Sequence, residues 1–402
     1  MKKILFVINT LGTAGAEKAL LQLLSEIDSS KYQVDLFVLL NQGELIDSVP
    51  KSVNVLNDKY DVCPIYGKEG KKHLAKYVFR ALLKKGCCFK FLGFFIDNLF
   101  SMIKSRNVKV DKLLWQAVAY SSKRFDTLYD LAVAYIEGGS TYYVSQYVNA
   151  NKKVAFLHVD YQEAGYSRKI DRGAYKNVDM VYAVSDEVQE SFLKTYPEYK
   201  EKTGVFHNII DIEKIKRLAS TPGGFEDEFD GIRILTVGRL CAQKAFEYSI
   251  EALKILKDKG IRVKWYVLGS GDEEEKLRKI ICEMDLKEEF LLLGNQSNPY
   301  PFFEQCDIYV HASRFEGKSI AVQEAQALAK PIIVSDCAGN REQVIHMYDG
   351  MMCNLSGKEI ADAIMFLIDN RDQAASMGQK AYERIVCDTA KNNELENMLS
   401  LA

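Results

Sequence analysis

Twice along this chain, apolar runs of strand length alternate with longer segments of helical period, and this repetition limits the folds open to it more than any other feature. The first series is a strand-like run at 4–8, a helix over 16–27 and a run at 34–40. After residue 230 the pattern returns, with strands at 233–237, 263–268, 290–293, 308–311 and 331–334 and helices over 246–259 and 273–284. Alternating β and α units predict parallel sheets wound with helices on both faces, so the fold class is α/β with two doubly wound domains. Between the series lies Ser220-Thr-Pro-Gly-Gly-Phe-Glu-Asp-Glu-Phe-Asp-Gly231, rich in turn formers and acid. The expected division is a first domain at 1–219, a linker at 220–230, a second domain at 231–375, and a helix over 376–402 that either caps the second domain or crosses back to the first.

Several broad classes are excluded by composition. Of 402 residues, 48% are apolar and 27% charged, which is ordinary for a soluble globular protein and unlike a disordered chain. The formal net charge of −2 gives no general reason to expect nucleic acid as a partner. No apolar stretch reaches the length needed to span a bilayer, and the run at 4–8 is too short for a signal peptide and reads as a strand. The nine cysteines include no C-x-x-C pair, which predicts reduced core thiols and a cytoplasmic protein. The balanced charge hides one local excess: residues 68–124 carry fourteen Lys/Arg against three acids, a net of +11.

The residues that carry chemistry cluster in the second half. Arg314-Phe-Glu316-Gly-Lys318-Ser319-Ile320-Ala-Val-Gln-Glu324 follows a strand and enters a helix expected to begin near Ser319. Glu316 then lies in the strand-to-helix loop and Glu324 on the second helical turn, so both can line one cleft. The backbone N–H groups of Lys318, Ser319 and Ile320 would point from a helix N-terminus, where partial positive charge favours a phosphate. Carboxylates accept sugar hydroxyls well; on their own, two acids eight apart more often describe a turn acid and a solvated helix face. Upstream, Val237-Gly238-Arg239-Leu-Cys-Ala-Gln-Lys244 places two cations beside a glycine turn, a pairing suited to neutralising a diphosphate without a metal. Gly269-Ser-Gly271 is a further strand-to-helix turn, and Gly12-Thr-Ala-Gly15 joins the first strand to the first helix without completing a G-x-G-x-x-G fingerprint.

The ordered set Gly238-Arg239-Leu240, Gln243-Lys244, Gly269-Ser-Gly271, Glu316-Gly317 with Glu324-Ala325, and Lys330-Pro331 resembles the retaining family-four glycosyltransferases. The match is dense over 231–350 and thinner over 1–30 and 150–215, where Asn208-Ile-Ile-Asp211 looks like the family's Asn-Gly-x-Asp segment. The resemblance implies two facing Rossmann-like domains, the GT-B architecture, with the nucleotide-sugar held mainly by the second. By position, it implies that Arg239 and Lys244 bind the donor diphosphate, Glu324 the ribose and Glu316 the transferred sugar. Gly15, Gly238, Gly269, Lys318, Ser319 and Ile320 would line the donor. His158, in Phe156-Leu-His158-Val-Asp160, resembles the first-domain histidine near the reacting carbon; a histidine after an apolar strand is otherwise a structural residue. Departures are Lys318-Ser319 where the family often has Phe-Gly, and Ala245 and Ala14 where glycine is common.

These features imply a retaining glycosyltransferase that needs no metal or other cofactor, with a nucleotide-sugar donor, UDP favoured, and a glycan acceptor on a lipid carrier at the cytoplasmic face. Alternatives are an epimerase or phosphorylase using similar donors, and a non-catalytic subunit docking a partner enzyme to the membrane. Residues 71–118 mix Lys/Arg with Phe79, Phe91, Phe94, Phe95 and other apolar side chains. That pattern fits a peripheral contact with an anionic membrane surface, and equally a helical hairpin whose phenylalanines are core.

Overall fold

In the computed structural model, residues 1–63, 65, 68–83, 91–98, 110–390 and 393–402 are described. They form two compact units, Met1–Asn208 with Asn393–Ala402, and Ile209–Asn392.

The first unit is built on seven parallel strands: β1 (Lys2–Ile8), β2 (Tyr32–Val38), β3 (Val53–Val55), β4 (Tyr129–Ala134), β5 (Ala150–Leu157), β6 (Met180–Ala183) and β7 (Thr203–Val205), in the order β3-β2-β1-β4-β5-β6-β7. The central strand β1 is buried without interruption from Ile4 to Ile8, as a parallel strand covered on both faces must be. Ile4 stands in register between Val34 and Leu131. The helix Gly15–Glu26 covers the sheet with Ala19, Leu20, Leu23 and Leu24, one face at helical spacing. One polar group lies deep in this unit. Asp171, fully buried, accepts hydrogen bonds from the hydroxyls of Tyr142 at 2.8 Å, Tyr196 at 2.7 Å and Tyr161.

The second unit has six parallel strands: β8 (Ile232–Val237), β9 (Val263–Leu268), β10 (Phe290–Leu292), β11 (Ile308–His311), β12 (Ile332–Ser335) and β13 (Met351–Cys353), in the order β10-β9-β8-β11-β12-β13. Both sheets therefore reverse their winding once, between β1 and β4 and between β8 and β11. Loops leaving the carboxyl ends of such a pair diverge and open a crevice, the usual ligand site of a doubly wound sheet.

Two expectations about domain boundaries need correction. The units divide at Asn208/Ile209, and the segment expected as a linker packs on the second unit. Phe225 lies 4.2 Å from the Tyr266 ring and 5.2 Å from Phe302, while Gln305 bonds the backbone at Gly223 and Phe225. Asp227 gathers Arg233, Lys264 and the Tyr266 hydroxyl, which together outweigh burial and lower its pKa to about 2. The single C-terminal helix is in fact two: Arg371–Ala390 belongs to the second unit and Glu394–Leu399 to the first. Glu394 is held there by the backbone N–H and ring of His207.

For the basic insert the sequence left a membrane contact and a helical core equally open. Phe91 is only 3% exposed and packs with Ala117 and the partly buried Phe94, Phe95 and Tyr120, under the guanidinium of Arg172. These phenylalanines are core. Among the described residues of the insert, the exposed large apolar side chains are instead Phe79, Leu83, Leu92 and Ile96, which lie on the other faces of the helix Lys68–Leu83 and of the helical stretch 91–98. Lys84, Lys85 and Lys90 lie outside the described residues. Among the described residues no helix is long and apolar enough to cross a membrane. Of the described cysteines, Cys306, Cys337 and Cys353 are buried but Cys282 and Cys387 are exposed, so not all are core thiols.

Candidate active site

The crevice at the β8/β11 reversal is lined by the segments that the sequence singles out. The loop after β8 carries Gly238, Arg239 and Lys244, and the loop after β11 carries Glu316. The two loops are tied together: the Arg314 N–H donates to Gln243 O at 2.8 Å, Gln243 Nε2 to Phe315 O at 2.8 Å, and the Arg314 guanidinium reaches Ala242 O and Glu247. That lacing sets Lys244 against Glu316, 72 positions away in sequence, with Nζ to Oε1 at 2.5 Å. Ser313 Oγ donates to the same oxygen. His311 Nε2 lies 3.1 Å from the ammonium and 3.2 Å from the carboxylate, and the Tyr309 hydroxyl is 3.1 Å from His311 Nδ1.

Burial alone would raise the Glu316 carboxyl, but the Lys244 ammonium, followed by His311, holds its pKa well below the usual range, so Glu316 is ionised. Burial and then Lys244 push the His311 pKa down, so the ring stays neutral. Every hydrogen bond that Glu316 makes among the described residues is taken by Oε1, leaving Oε2 with acceptor capacity for a hydroxyl. The sequence expectation assigned Lys244 to a diphosphate and Glu316 to a sugar as separate contacts. In the structure the two are one ion pair.

Glu324 is buried on the helix Ile320–Ala327 and accepts the Tyr300 hydroxyl at 3.0 Å. Arg239 is partly exposed in the loop after β8, and Lys318 is partly exposed before the helix. One expected donor is not available: the Ser319 N–H is taken by Gln343 Oε1 at 2.7 Å, and Gln343 Nε2 returns to Ser319 O at 2.8 Å. Gln343 thereby holds the helix entrance, where Ser319 makes no side-chain cap. Ile320 opens the helix, at an end where N–H groups have no intrahelical acceptor.

Glycines at this crevice serve backbone packing. A Cβ on Gly269, at φ +147°, would lie 2.0 Å from Gly238 O, and one on Gly271 would lie 2.1 Å from Leu240 O. The turn after β9 thus braces the turn after β8, and Gly269 acts through Gly238. Ala245 adopts the left-handed conformation at φ 49°, ψ 37°, the reason glycine is common there. Gly339, which sequence reasoning passed over, lies against Gly317 O and Glu316 O. His311, Ser313, Tyr300 and Gln343 were missed as well; the one available signal was a histidine ending an otherwise apolar strand.

His158 and Gly15 belong to the first unit. Gly15 opens the helix Gly15–Glu26 after β1. His158 follows β5, its ring beside Tyr135 and Phe156, and burial pushes its pKa down to about 4, so it is neutral at pH 7. Its backbone N–H donates to the buried Glu137 at 2.9 Å, while its enclosed Nε2 has no hydrogen-bond partner among the described residues. A buried imidazole nitrogen without a partner is uncommon in a purely structural residue.

Residues 227–384, most of the second unit, match the family described as Glycosyl transferases group 1. The whole chain superposes on HepE of Anabaena in complex with UDP and glucose, covering 100% of both chains with a TM-score of 0.69 at 19% identity, and on TarM with a TM-score of 0.67 at 14%. The chain has the GT-B fold of those structures. Among curated relatives of this GT-B protein, one is the N-acetylgalactosamine-N,N'-diacetylbacillosaminyl-diphospho-undecaprenol 4-alpha-N-acetylgalactosaminyltransferase of Campylobacter jejuni. It is 27% identical over 84% of this chain and 81% of the relative. Another, an uncharacterized glycosyltransferase of Methanocaldococcus jannaschii, is 30% identical over 45% of this chain and 47% of its own. The poly(ribitol-phosphate) alpha-N-acetylglucosaminyltransferase of Staphylococcus aureus is 23% identical over 62% and 50%. The chain thus spans about half the length of the archaeal and staphylococcal relatives.

Proposed function

We propose that this GT-B protein transfers a sugar, with retention, from a nucleoside diphosphate donor, UDP favoured, to a hydroxyl of a lipid-linked glycan in cell-surface polysaccharide synthesis. The observation that carries this reading is the pair of the partly buried Lys244 with the buried Glu316, backed by His311, at the winding reversal of the second sheet. In the reaction the bond from the anomeric carbon to the diphosphate breaks and a bond to the acceptor oxygen forms on the same face. The acceptor's proton passes to the departing phosphate oxygen. Negative charge grows on the leaving group, and Arg239, Lys244 and the helix entrance at Ile320 are the groups that meet it, with no metal required. Glu316, kept ionised by Lys244, offers Oε2 to a sugar hydroxyl, and Glu324 accepts the ribose hydroxyls. His158 supplies an imidazole nitrogen held neutral by burial, able to accept a hydrogen bond from a hydroxyl. UDP in HepE and an undecaprenol-linked acceptor in the Campylobacter relative's name support the choice of donor and acceptor. A donor screen that counts released UDP and GDP, with and without lipid-linked acceptor, tests it; release of neither with any acceptor refutes it.

The two carboxylates should separate in kinetics. Glu324→Gln is expected to weaken binding of free UDP by about 10- to 100-fold, the scale of hydrogen bonds to a charged group. Glu316→Gln should leave UDP affinity near wild type and lower the transfer rate, because the sugar changes shape on the way to the transition state and the ribose does not. Calorimetric titration of UDP into each variant decides the matter, and equal affinity losses in both would refute the division of roles.

We also place the protein peripherally on the inner face of the cell membrane, through the insert. The net +11 of residues 68–124 adjoins the exposed Phe79, Leu83, Leu92 and Ile96. Vesicles containing anionic lipid should bind at low salt and release as the Debye length shrinks from about 10 Å at 0.1 M to about 3 Å at 1 M. Apolar insertion resists salt, so a Phe79→Ser, Leu92→Ser double variant should lose the fraction that stays bound at high salt. Wild-type protein that ignores anionic vesicles at low salt would remove the membrane from this picture.

A further inference from the structure

A second cluster of chemistry-bearing side chains lies in the first unit, and none of its members belongs to the candidate active site. Past the end of β2, Gln42 forms an isolated parallel bridge with Asp61, fixed by Gly43 N–H to Asp61 O at 3.1 Å and Asp61 N–H to Asn41 O at 2.8 Å. Cys63 follows two residues later, and His73 projects from the helix Lys68–Leu83. One oxygen of Asp61, the sulfur of Cys63 and one ring nitrogen of His73 all lie within 4.8 Å of one another.

The side chain that organises them is Gln42, which is fully buried. Its Nε2 donates to Cys63 Sγ at 3.2 Å and to Gly70 O at 3.4 Å, using both amide hydrogens. Its Oε1 must therefore accept, and the group facing it at 3.2 Å is His73 Nδ1. With the ring proton placed on Nδ1, a neutral His73 turns the bare lone pair of Nε2 toward Asp61 Oδ2, 3.2 Å away. Two acceptors at that distance need a cation between them or a second proton on the ring. Nitrogen, sulfur and carboxylate oxygen form the donor set that zinc-class ions prefer, and a buried partner that fixes the histidine tautomer is the usual support of such a ligand. Thiolate and carboxylate together would balance the charge of a divalent ion. Asp61 and His73 are 42% and 33% exposed, leaving a path for the ion and for a water as fourth ligand.

We propose that Asp61, Cys63 and His73 bind one divalent transition-metal ion of the zinc class, which clips the helix Lys68–Leu83 to the loop beyond β3. The site is structural and takes no part in sugar transfer. It also stands independently of the donor reading.

Cobalt(II) and zinc(II) titrated into the full-length, reduced protein test it. One equivalent of cobalt should give a thiolate-to-metal charge-transfer band in the near ultraviolet and tetrahedral bands in the visible, both displaced by zinc. Cys63→Ser should abolish the charge-transfer band, and His73→Ala should weaken affinity. Gln42→Leu, which removes only the orienting amide, should cost about 10- to 100-fold in affinity. Circular dichroism and UDP titration of each variant show that it has folded, apart from its metal content. A wild-type protein that gives no thiolate band, or a Cys63→Ser variant that gives the same band, overturns the proposal and leaves an Asp61–His73 ion pair with a bystander thiol.

Discussion

Lys244→Ala should lower turnover by about 10²–10³, the loss seen when one preorganised contact to a developing anion is removed. Two effects of the substitution act in the same direction. A cation facing the departing diphosphate disappears, and Glu316, only 7% exposed, loses the charge that holds it ionised, so burial raises its pKa and the carboxylate is no longer assured at neutral pH. Lys244→Arg keeps the charge but replaces a compact ammonium with a planar fork, and should recover part of the activity. Single-turnover rates with saturating donor, measured beside UDP affinity, separate the chemical defect from a binding defect. Full activity in Lys244→Ala would mean that the pair at the β8/β11 reversal is structural and that the donor site lies elsewhere.

The largest stability effect is expected far from the crevice, at Asp171. Asp171→Ala leaves the buried hydroxyls of Tyr142, Tyr161 and Tyr196 without their acceptor, at about 1–3 kcal/mol for each group left unsatisfied. A loss of about 3–9 kcal/mol at pH 5 is therefore expected, read from urea denaturation followed by the near-ultraviolet signal of the tyrosines. The size of this loss should depend on pH. Burial pushes the Asp171 carboxyl up to about 6, and the three hydroxyls bring it only part of the way back. The folded chain holds a proton there that the unfolded chain, with a carboxyl near about 3.9, has already released. This group's favourable contribution is fullest below the unfolded pKa and declines as pH rises through about 6, so the gap between wild type and Asp171→Ala should narrow by about 1 kcal/mol from pH 5 to pH 7. A gap that widens over that interval would show Asp171 to be stabilised as the carboxylate, with the hydroxyls outweighing burial.

The elements legible in the sequence, β1, the helix Gly15–Glu26 and β2 in the first unit and β8 to β12 in the second, carry local signals. An apolar run bounded by turn residues is enough to place Val263–Leu268 or Ile308–His311, whichever strands lie beside them. The glycine and cation pattern of 238–244 and the acids at 316 and 324 were legible for the same reason, since each motif fits within one loop and the start of one helix. Ser220–Gly231 misled for a physical reason as well: turn formers mark a change of chain direction, whether the chain leaves the domain or, as here, lays Phe225 on Tyr266 and returns. The phenylalanines of the insert were ambiguous because an apolar face looks alike whether it meets protein or lipid. Only the packing of Phe91 against Ala117 and Tyr120 made them core and left Phe79, Leu83, Leu92 and Ile96 outside.

The sequence by itself determined the class of fold, two parallel α/β sheets, and singled out the loop residues Gly238, Arg239, Lys244 and Glu316 that follow β8 and β11. It did so because side-chain periodicity and turn chemistry act over a few residues. Tertiary structure alone decided how those residues combine. Lys244 meets Glu316 only because β8 and β11 are neighbours in their sheet, the Ser319 N–H is claimed only because Gln343 is brought back by β12, and Gln42 gathers Asp61, Cys63 and His73 only because the chain beyond β3 runs beside the end of β2. Contacts between residues tens of positions apart depend on strand order, which no local pattern specifies.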